Sequence, residues 1–73
     1  MAEQSDDLKK LVSLAADLGY PIEIRIKAVK SIGNISTHDA LLALLELVAK
    51  EQLTRKEREL ALKHARDIVR SGH

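Results

Sequence analysis

Several residue types are scarce or missing in this chain of 73 residues. It has no cysteine, tryptophan or phenylalanine, and only one tyrosine, one proline and three glycines. Without cysteine, neither a disulfide framework nor a thiolate zinc site can form. Without tryptophan and phenylalanine, few side chains are available to anchor an interface or to stack on nucleic-acid bases. The core must therefore be built from leucine, isoleucine, valine and alanine.

The chain also lacks a large excess of one sign of charge and any long apolar run. Twelve lysines and arginines oppose eleven acidic residues, although residues 54–73 carry six basic side chains against three acidic ones. The first residues lack the basic and apolar regions of a signal peptide, and the longest apolar run, residues 40–45, is too short to span a bilayer. We therefore expect a soluble, cytoplasmic protein that does not enter a membrane.

The clearest pattern present is a near repetition at an offset of 33 residues. Residues 6–35 and 39–68 are identical at nine of thirty aligned positions. The identical pairs are Asp6/Asp39, Leu8/Leu41, Leu11/Leu44, Leu14/Leu47, Ala16/Ala49, Arg25/Arg58, Ala28/Ala61, Lys30/Lys63 and Ile35/Ile68. A fixed period of this length is typical of stacked helical repeats. One domain is expected, with repeats at about 6–35 and 39–70.

Apolar residues at helical spacing predict four helices, separated by short connections that favour antiparallel neighbours. Their expected ranges are about 6–18, 21–32, 38–50 and 54–70. The residues expected as N-caps are Ser5, then Ser36 or Thr37, and Thr54, the last in a capping box with Glu57. Pro21 is expected to open the second helix, and Gly19 to end the first in a left-handed conformation.

Residues 22–26 alternate between isoleucine and charged residues, which is also the pattern of a strand. The equivalent residues 55–59 do not alternate and lie in a clear helix, so a helix is favoured. The apolar side expected for this second helix consists of Ile24, Ala28, Ile32 and Ile35.

The last two helices differ in their apolar patterns. Residues 40–45 are apolar around nearly the whole helix, so the third helix is expected to be buried at the centre. The fourth is charged on one side, with an apolar stripe of Ala61, Leu62, Ala65, Ile68 and Val69. It is expected to be a solvent-facing cap, with any open apolar edge toward the first two helices.

Residues 23–35, EIRIKAVKSIGNI, followed by DALLALL at 39–45, resemble the HEAT-like repeat family, including its phycobilisome-lyase type. The resemblance covers about residues 6–70 and implies a short α-solenoid of two stacked antiparallel helical hairpins. The second copy departs from it, with Glu57 in place of Ile24 and Arg66 in place of Gly33. The acidic residue that often precedes the arginine in such families is missing, which leaves Asp17 or Glu51 as candidate partners for Arg25 and Arg58.

No catalytic or metal-binding pattern is found. The histidines His38, His64 and His73 lack the i, i+4 spacing of a helical metal site, and a solvated role is favoured for His64 over a pairing with Asp67. No serine-nucleophile motif and no glycine-rich phosphate loop are present. An enzyme activity, a metal and a cofactor are therefore not expected.

Two surfaces are candidates for binding. The basic candidate, on the helices that line the concave face of such solenoids, consists of Lys27, Lys30, Lys63, Arg66 and Arg70. It could meet nucleic acid or an acidic partner, although interleaved acidic residues favour an ordinary solvated face. The candidate apolar edge consists of Ile22, Ile26 and Leu60.

The number of repeats bears on function, because two are fewer than the three or so that usually bury a continuous core. A small protein-interaction or scaffold module is therefore expected, which binds a protein partner or a second copy of itself. The alternative function is binding of nucleic acid or an acidic partner through the basic side of the last helix. The domain with this function could be the same module or a simple four-helix bundle.

Overall fold

A computed structural model describes the backbone of residues 2–72 and the side chains of residues 7–72. All regular structure in this part of the chain is α-helical, which confirms the predicted class. The helices are α1 (Ala2–Ala16), α2 (Ile22–Ile35), α3 (His38–Ala49) and α4 (Arg55–Arg70).

Threonine side chains cap the starts of the last two helices. The Thr37 hydroxyl accepts a hydrogen bond from the Ala40 N–H at 3.1 Å, and Thr54 accepts one from Glu57 at 3.2 Å. Each bond satisfies an amide that has no partner inside the helix. Pro21 lies at the N-cap of α2, so the helix begins at Ile22, one residue after the predicted start. The prediction that Ser5 caps α1 is wrong, because α1 already begins at Ala2.

Two predicted helix ends are also wrong. α1 ends at Ala16 because the Asp17 carboxylate accepts the Gly19 N–H at 2.8 Å and closes a turn. Gly19 does not have the predicted left-handed backbone. α2 runs through Gly33 to Ile35 and ends at Ser36, which has a left-handed φ of 55°. Gly33 thus lies inside a helix rather than in a turn.

The 33-residue offset recurs in the helix boundaries. α1 and α3 end at Ala16 and Ala49, and α2 and α4 begin at Ile22 and Arg55. The most extensive packing joins α1 to α2, here called the first hairpin, and α3 to α4, the second hairpin. The two hairpins are joined mainly by α2 against α4, with α3 also touching α2 and α1.

Small aliphatic side chains fill the core of the domain. Its buried hydrophobic residues are Ala15, Ala28, Val29, Ile32, Ala40, Ala43, Leu44, Leu47, Leu53, Ala61, Ala65 and Ile68. Half of them are alanines, which allow helix backbones to approach closely. A core with so little aliphatic volume per residue depends on tight contact between the hairpins.

The buried side of α2 contains Ala28 and Ile32, as predicted, but Arg25 and Val29 complete it instead of Ile24 and Ile35. Arg25, Ala28, Val29 and Ile32 are buried at helical spacing, whereas Ile24 is exposed. The prediction for Ile24 is therefore wrong, and the alternation in residues 22–26 does not mark an in-and-out pattern.

The third helix has neighbours on several sides, as predicted, but it is not buried all round. Leu42 and Leu45 are 49% and 44% exposed. α4 also departs from the predicted polar cap, because Val69 is 58% exposed and Leu62 is half-buried. The second hairpin therefore presents apolar side chains to the outside.

Candidate interaction surfaces

A markedly apolar groove lies between α3 and α4. We call it the terminal face; it is lined by Leu41, Leu45, Leu62, Ala65, Arg66, Val69 and Arg70. Aliphatic side chains form its floor, and the two arginines lie along its α4 side. The expectation that any open apolar edge would lie toward the first two helices is incomplete, because Leu18, Tyr20 and Ile24 are exposed there but apolar residues of α3 and α4 face outward as well.

The first hairpin shows what normally covers such a surface. At an offset of 33 residues, the positions equivalent to Leu62 and Ala65 are Val29 and Ile32, which have no exposed surface. The second hairpin covers them, since α2 packs against α4 and α3. Within residues 7–72, nothing covers the terminal face in the same way. Leu62 is therefore partly open to solvent in the second hairpin, whereas its equivalent Val29 is fully buried in the first.

Four of the five basic residues predicted to share one surface are divided between two grooves, and the fifth lies in neither. Lys30 and Lys63 line a groove between α2 and α4, whereas Arg66 and Arg70 lie on the terminal face. Lys27 is exposed on α2 and lines neither groove.

The groove between α2 and α4 is called the lysine groove below. Its lining residues are Ile26, Lys30, Lys56, Glu59, Leu60 and Lys63. Ile26 and Leu60, two of the three residues predicted as an apolar edge, are brought together here, whereas Ile22 is half-buried outside the groove. Sequence reasoning missed Lys56, although its spacing of seven residues from Lys63 places both on one side of α4.

The one acidic side chain of the lysine groove is already engaged. Glu59 forms an ion pair with Arg55, with 3.5 Å between Arg55 Nε and Glu59 Oε2, and both side chains are largely exposed. A surface pair of this kind adds little to stability. It does reduce the negative charge that Glu59 presents to a ligand in the groove.

A buried ion pair joins the two hairpins. Arg25 Nη1 of α2 lies 3.4 Å from Glu57 Oε1 of α4, and both residues are buried in the interface. The predicted partners of Arg25, Asp17 and Glu51, are therefore wrong. The capping box is only half formed, because the Glu57 side chain turns into the core instead of back toward Thr54.

The buried pair is incompletely satisfied. Nε and Nη1 of Arg25 and both carboxylate oxygens of Glu57 have no hydrogen-bond partner. Burial raises the pKa of Glu57, and the positive charge of Arg25 offsets part of that rise. The desolvation of two such charges is costly, so the pair specifies the stacking of the hairpins more than it stabilises them.

His64 of α4 packs on the bare backbone of α2. A Cβ placed on Gly33 would come within 2.5 Å of His64 Nδ1 and 3.0 Å of its Cβ. Burial lowers the pKa of His64; Asp67 raises it, while Lys63 and Lys30 lower it further. The sequence expectation of a solvated histidine is therefore only partly met, since the ring is half-buried.

Within residues 7–72, no three His, Cys, Asp or Glu side chains are grouped so that they could hold a metal ion. Over the described helices, none is long and apolar enough to cross a membrane. Comparisons of this chain with protein-family models, with curated proteins and with solved structures found no match.

Proposed function

We propose that this chain is a small, non-catalytic protein-interaction or scaffold module of the HEAT-like type, and that its partner docks on the terminal face. The observation that carries the proposal is the apolar surface that Leu45, Leu62 and Val69 leave open between α3 and α4, whereas Val29, the equivalent of Leu62 in the first hairpin, is fully buried. A cytoplasmic location, as expected from the sequence, stays a prediction.

The terminal face has the composition of a binding surface. Single exposed aliphatic residues are ordinary on protein surfaces, but a contiguous group of them between two helices marks an interaction site. Arginine is enriched at such interfaces, where it extends an apolar stem and keeps its charge at the rim. Fully covering Leu45 and Val69 would contribute roughly 1–2 kcal/mol for each side chain.

The test is site-specific photo-crosslinking in the native cell. A photoreactive residue at Val69 is expected to crosslink one reproducible protein, identified by mass spectrometry as this chain or another. The matched control is Lys10, which is exposed on the first hairpin. Leu45→Glu should abolish the Val69 adduct because it places a charge in the groove. Equal patterns from Val69 and Lys10 would contradict the proposal.

A second candidate function is binding of an acidic partner in the lysine groove. Three lysines surround Ile26 and Leu60, and the acid Glu59 is paired with Arg55. An apolar floor with a basic rim suits an acidic amphipathic helix of a protein better than a sugar–phosphate backbone. The described part of the groove also has no aromatic side chain for stacking on bases.

This candidate is tested by fluorescence anisotropy with an acidic amphipathic peptide and, in parallel, with single-stranded RNA and DNA at low salt. Peptide binding should weaken as salt is added and fall in Lys30→Glu and Lys63→Glu, but not in the control Lys27→Glu. Preferential binding of nucleic acid would instead support the nucleic-acid alternative. If neither ligand binds at high micromolar protein, both versions fail.

A further inference from the structure

The line of contact between α2 and α4, here called the seam, continues past the lysine groove to His64. Arg25 pairs with Glu57 near the starts of the two helices. The lysine groove follows, and the contact of Gly33 with His64 comes next, toward the helix ends. Within α4, His64 lies four residues after Leu60 of the groove, so the two side chains are neighbours on the helix surface. The His64 ring therefore lies at one end of the lysine groove.

Two lysines of the groove lie beside this ring. Lys63 precedes His64 in α4, and Lys30 stands one turn before Gly33 in α2. Burial lowers the pKa of His64, and the ammonium groups of Lys63 and Lys30 lower it further. The half-buried ring is thus kept neutral in part by the same positive charges that an acidic partner would neutralise. A carboxylate bound in the groove would weaken their repulsion and favour the protonated ring.

The other charged groups near the ring do not reverse this sign. Asp67, one turn further along α4, raises the pKa of His64, but it is exposed and does not line the groove. Arg25 and Glu57 are two turns back along the seam and are buried as a pair. The titratable residues of α3, which also packs against α4, lie in the groove toward α1 or at the helix start: Asp39, Glu46 and His38.

We propose that His64 is a proton-linked part of the lysine groove: it takes up a proton from solvent when a carboxylate-rich helical segment of a protein partner binds there, and the groove therefore holds that partner more tightly as the pH falls. This inference rests on the second candidate function and adds its regulation. The direction follows from linkage, because a ligand that favours the protonated ring is itself favoured by protonation. Lysine and glutamate side chains at their ordinary pKa values stay charged between about pH 5.5 and pH 7.5, so they do not supply the effect.

The experiment measures binding of a glutamate-rich amphipathic peptide to the full chain by fluorescence anisotropy, at about pH 7.5 and about pH 5.5. The unaltered chain should bind the peptide about threefold to tenfold more tightly at the lower pH. His64→Gln should bind it equally well at the higher pH and lose most of the gain at the lower one. His38→Gln, at an exposed histidine outside the groove, is the matched control and should keep the gain. Circular dichroism at both pH values checks that each variant is folded.

Calorimetry of the unaltered chain gives a test that depends on no variant. At about pH 6, binding enthalpies in two buffers with different ionisation enthalpies should show that the complex takes up part of a proton. No uptake, release of a proton, or a pH response that His64→Gln leaves unchanged would overturn the inference, while the groove would stand as a site for an acidic partner. If the peptide does not bind at high micromolar protein at either pH, the second candidate function and this inference both fail.

Discussion

The two hairpins hold identical residues at equivalent positions, yet they bury them differently. Arg25 is enclosed between α2 and α4, whereas its equivalent Arg58 is only half-buried. Leu44 has no exposed surface, whereas its equivalent Leu11 is half-buried. α2 and α3 thus carry more of the interface than their counterparts on the outside. The position of a helix in the stack, rather than the residue it carries, decides how much that residue stabilises the fold.

The largest difference between the two hairpins is expected when the equivalent arginines, Arg25 and Arg58, are replaced. Arg25→Met leaves the Glu57 carboxylate buried without a partner, and we expect a loss of about 3–5 kcal/mol in the free energy of unfolding. Arg58→Met, the matched control, should cost under about 1 kcal/mol because its site is partly solvated. Urea unfolding followed by circular dichroism measures both.

The double variant Arg25→Met/Glu57→Met should recover most of the loss, because replacing both members of a buried pair by apolar side chains is often neutral or stabilising. Equal losses in Arg25→Met and Arg58→Met would show that the two hairpins bury their arginines alike.

The next effect is expected at the paired leucines. Leu44→Ala should lower the free energy of unfolding by about 2–5 kcal/mol, since it opens a cavity at a fully enclosed site. Leu11→Ala should cost roughly half as much, because solvent and neighbouring side chains can fill its place. The same chemical change is made twice, so any difference in urea midpoint reports position alone. A larger loss at Leu11 would reverse the assignment of α3 as an inner helix.

A smaller effect is expected where the two copies differ most. Gly33→Ala should destabilise the protein by about 1–2 kcal/mol, because displacement of the His64 ring outweighs the gain in helix propensity. Arg66→Ala should be nearly neutral. In a His64→Ala background the cost of Gly33→Ala should fall, since the ring is gone and only the 3.0 Å approach of the Cβ of residue 64 opposes the gain in helix propensity. Thermal unfolding of the four variants checks this, and a Gly33→Ala cost that is independent of residue 64 would argue against the close approach.

The smallest effect is a dependence on pH at the junction of the hairpins. Because folding lowers the pKa of His64, its contribution to stability is present above its unfolded pKa near 6.5 and is lost as the pH falls through the folded value. Glu57 acts in the opposite sense, since its raised pKa favours the folded state as pH falls. Because the two effects oppose each other, the contribution of His64 is found by comparing the pH dependence of a His64 variant with that of the unaltered protein.

The free energy of unfolding at about pH 7.5 and about pH 5.5 should decrease less on acidification in His64→Gln than in the unaltered protein. His38→Gln, at an exposed histidine at the start of α3, is the matched control for the substitution. An unchanged pH dependence in His64→Gln would place the ring in solvent rather than against Gly33.

Local patterns predicted the helices well because caps and periodicity act within a few residues. Thr54, for example, is a correct cap in both sequence and structure. Gly33 was misjudged because a glycine permits either a turn or a close helix contact, and only the neighbouring helix decides between them. Glu57 stood out as a departure from Ile24, but its partner Arg25 lies in the other hairpin, so no local pattern connects them.

The interaction surfaces were harder to predict for a related reason. A helix that is apolar all round shows that it has several neighbours, but it does not show how many of them belong to the same chain. Leu42 and Leu45 were therefore expected in the core and lie outside it. The basic residues were assigned to one face because α2 and α4 are adjacent, yet Lys63 borders the groove toward α2 whereas Arg66 borders the groove toward α3.

The buried pair also has a consequence for the rate of folding. Most helical structure forms from contacts close in sequence and therefore rapidly, but Arg25 and Glu57 are separated by thirty-two residues. The Arg25 and Glu57 side chains must lose bound water before they can pair. When two preformed hairpins meet, both charges therefore pass through a state in which neither water nor the other charge stabilises them. We therefore expect the docking of the hairpins, rather than helix formation, to limit folding, and the time required to be set by how quickly water leaves this one contact.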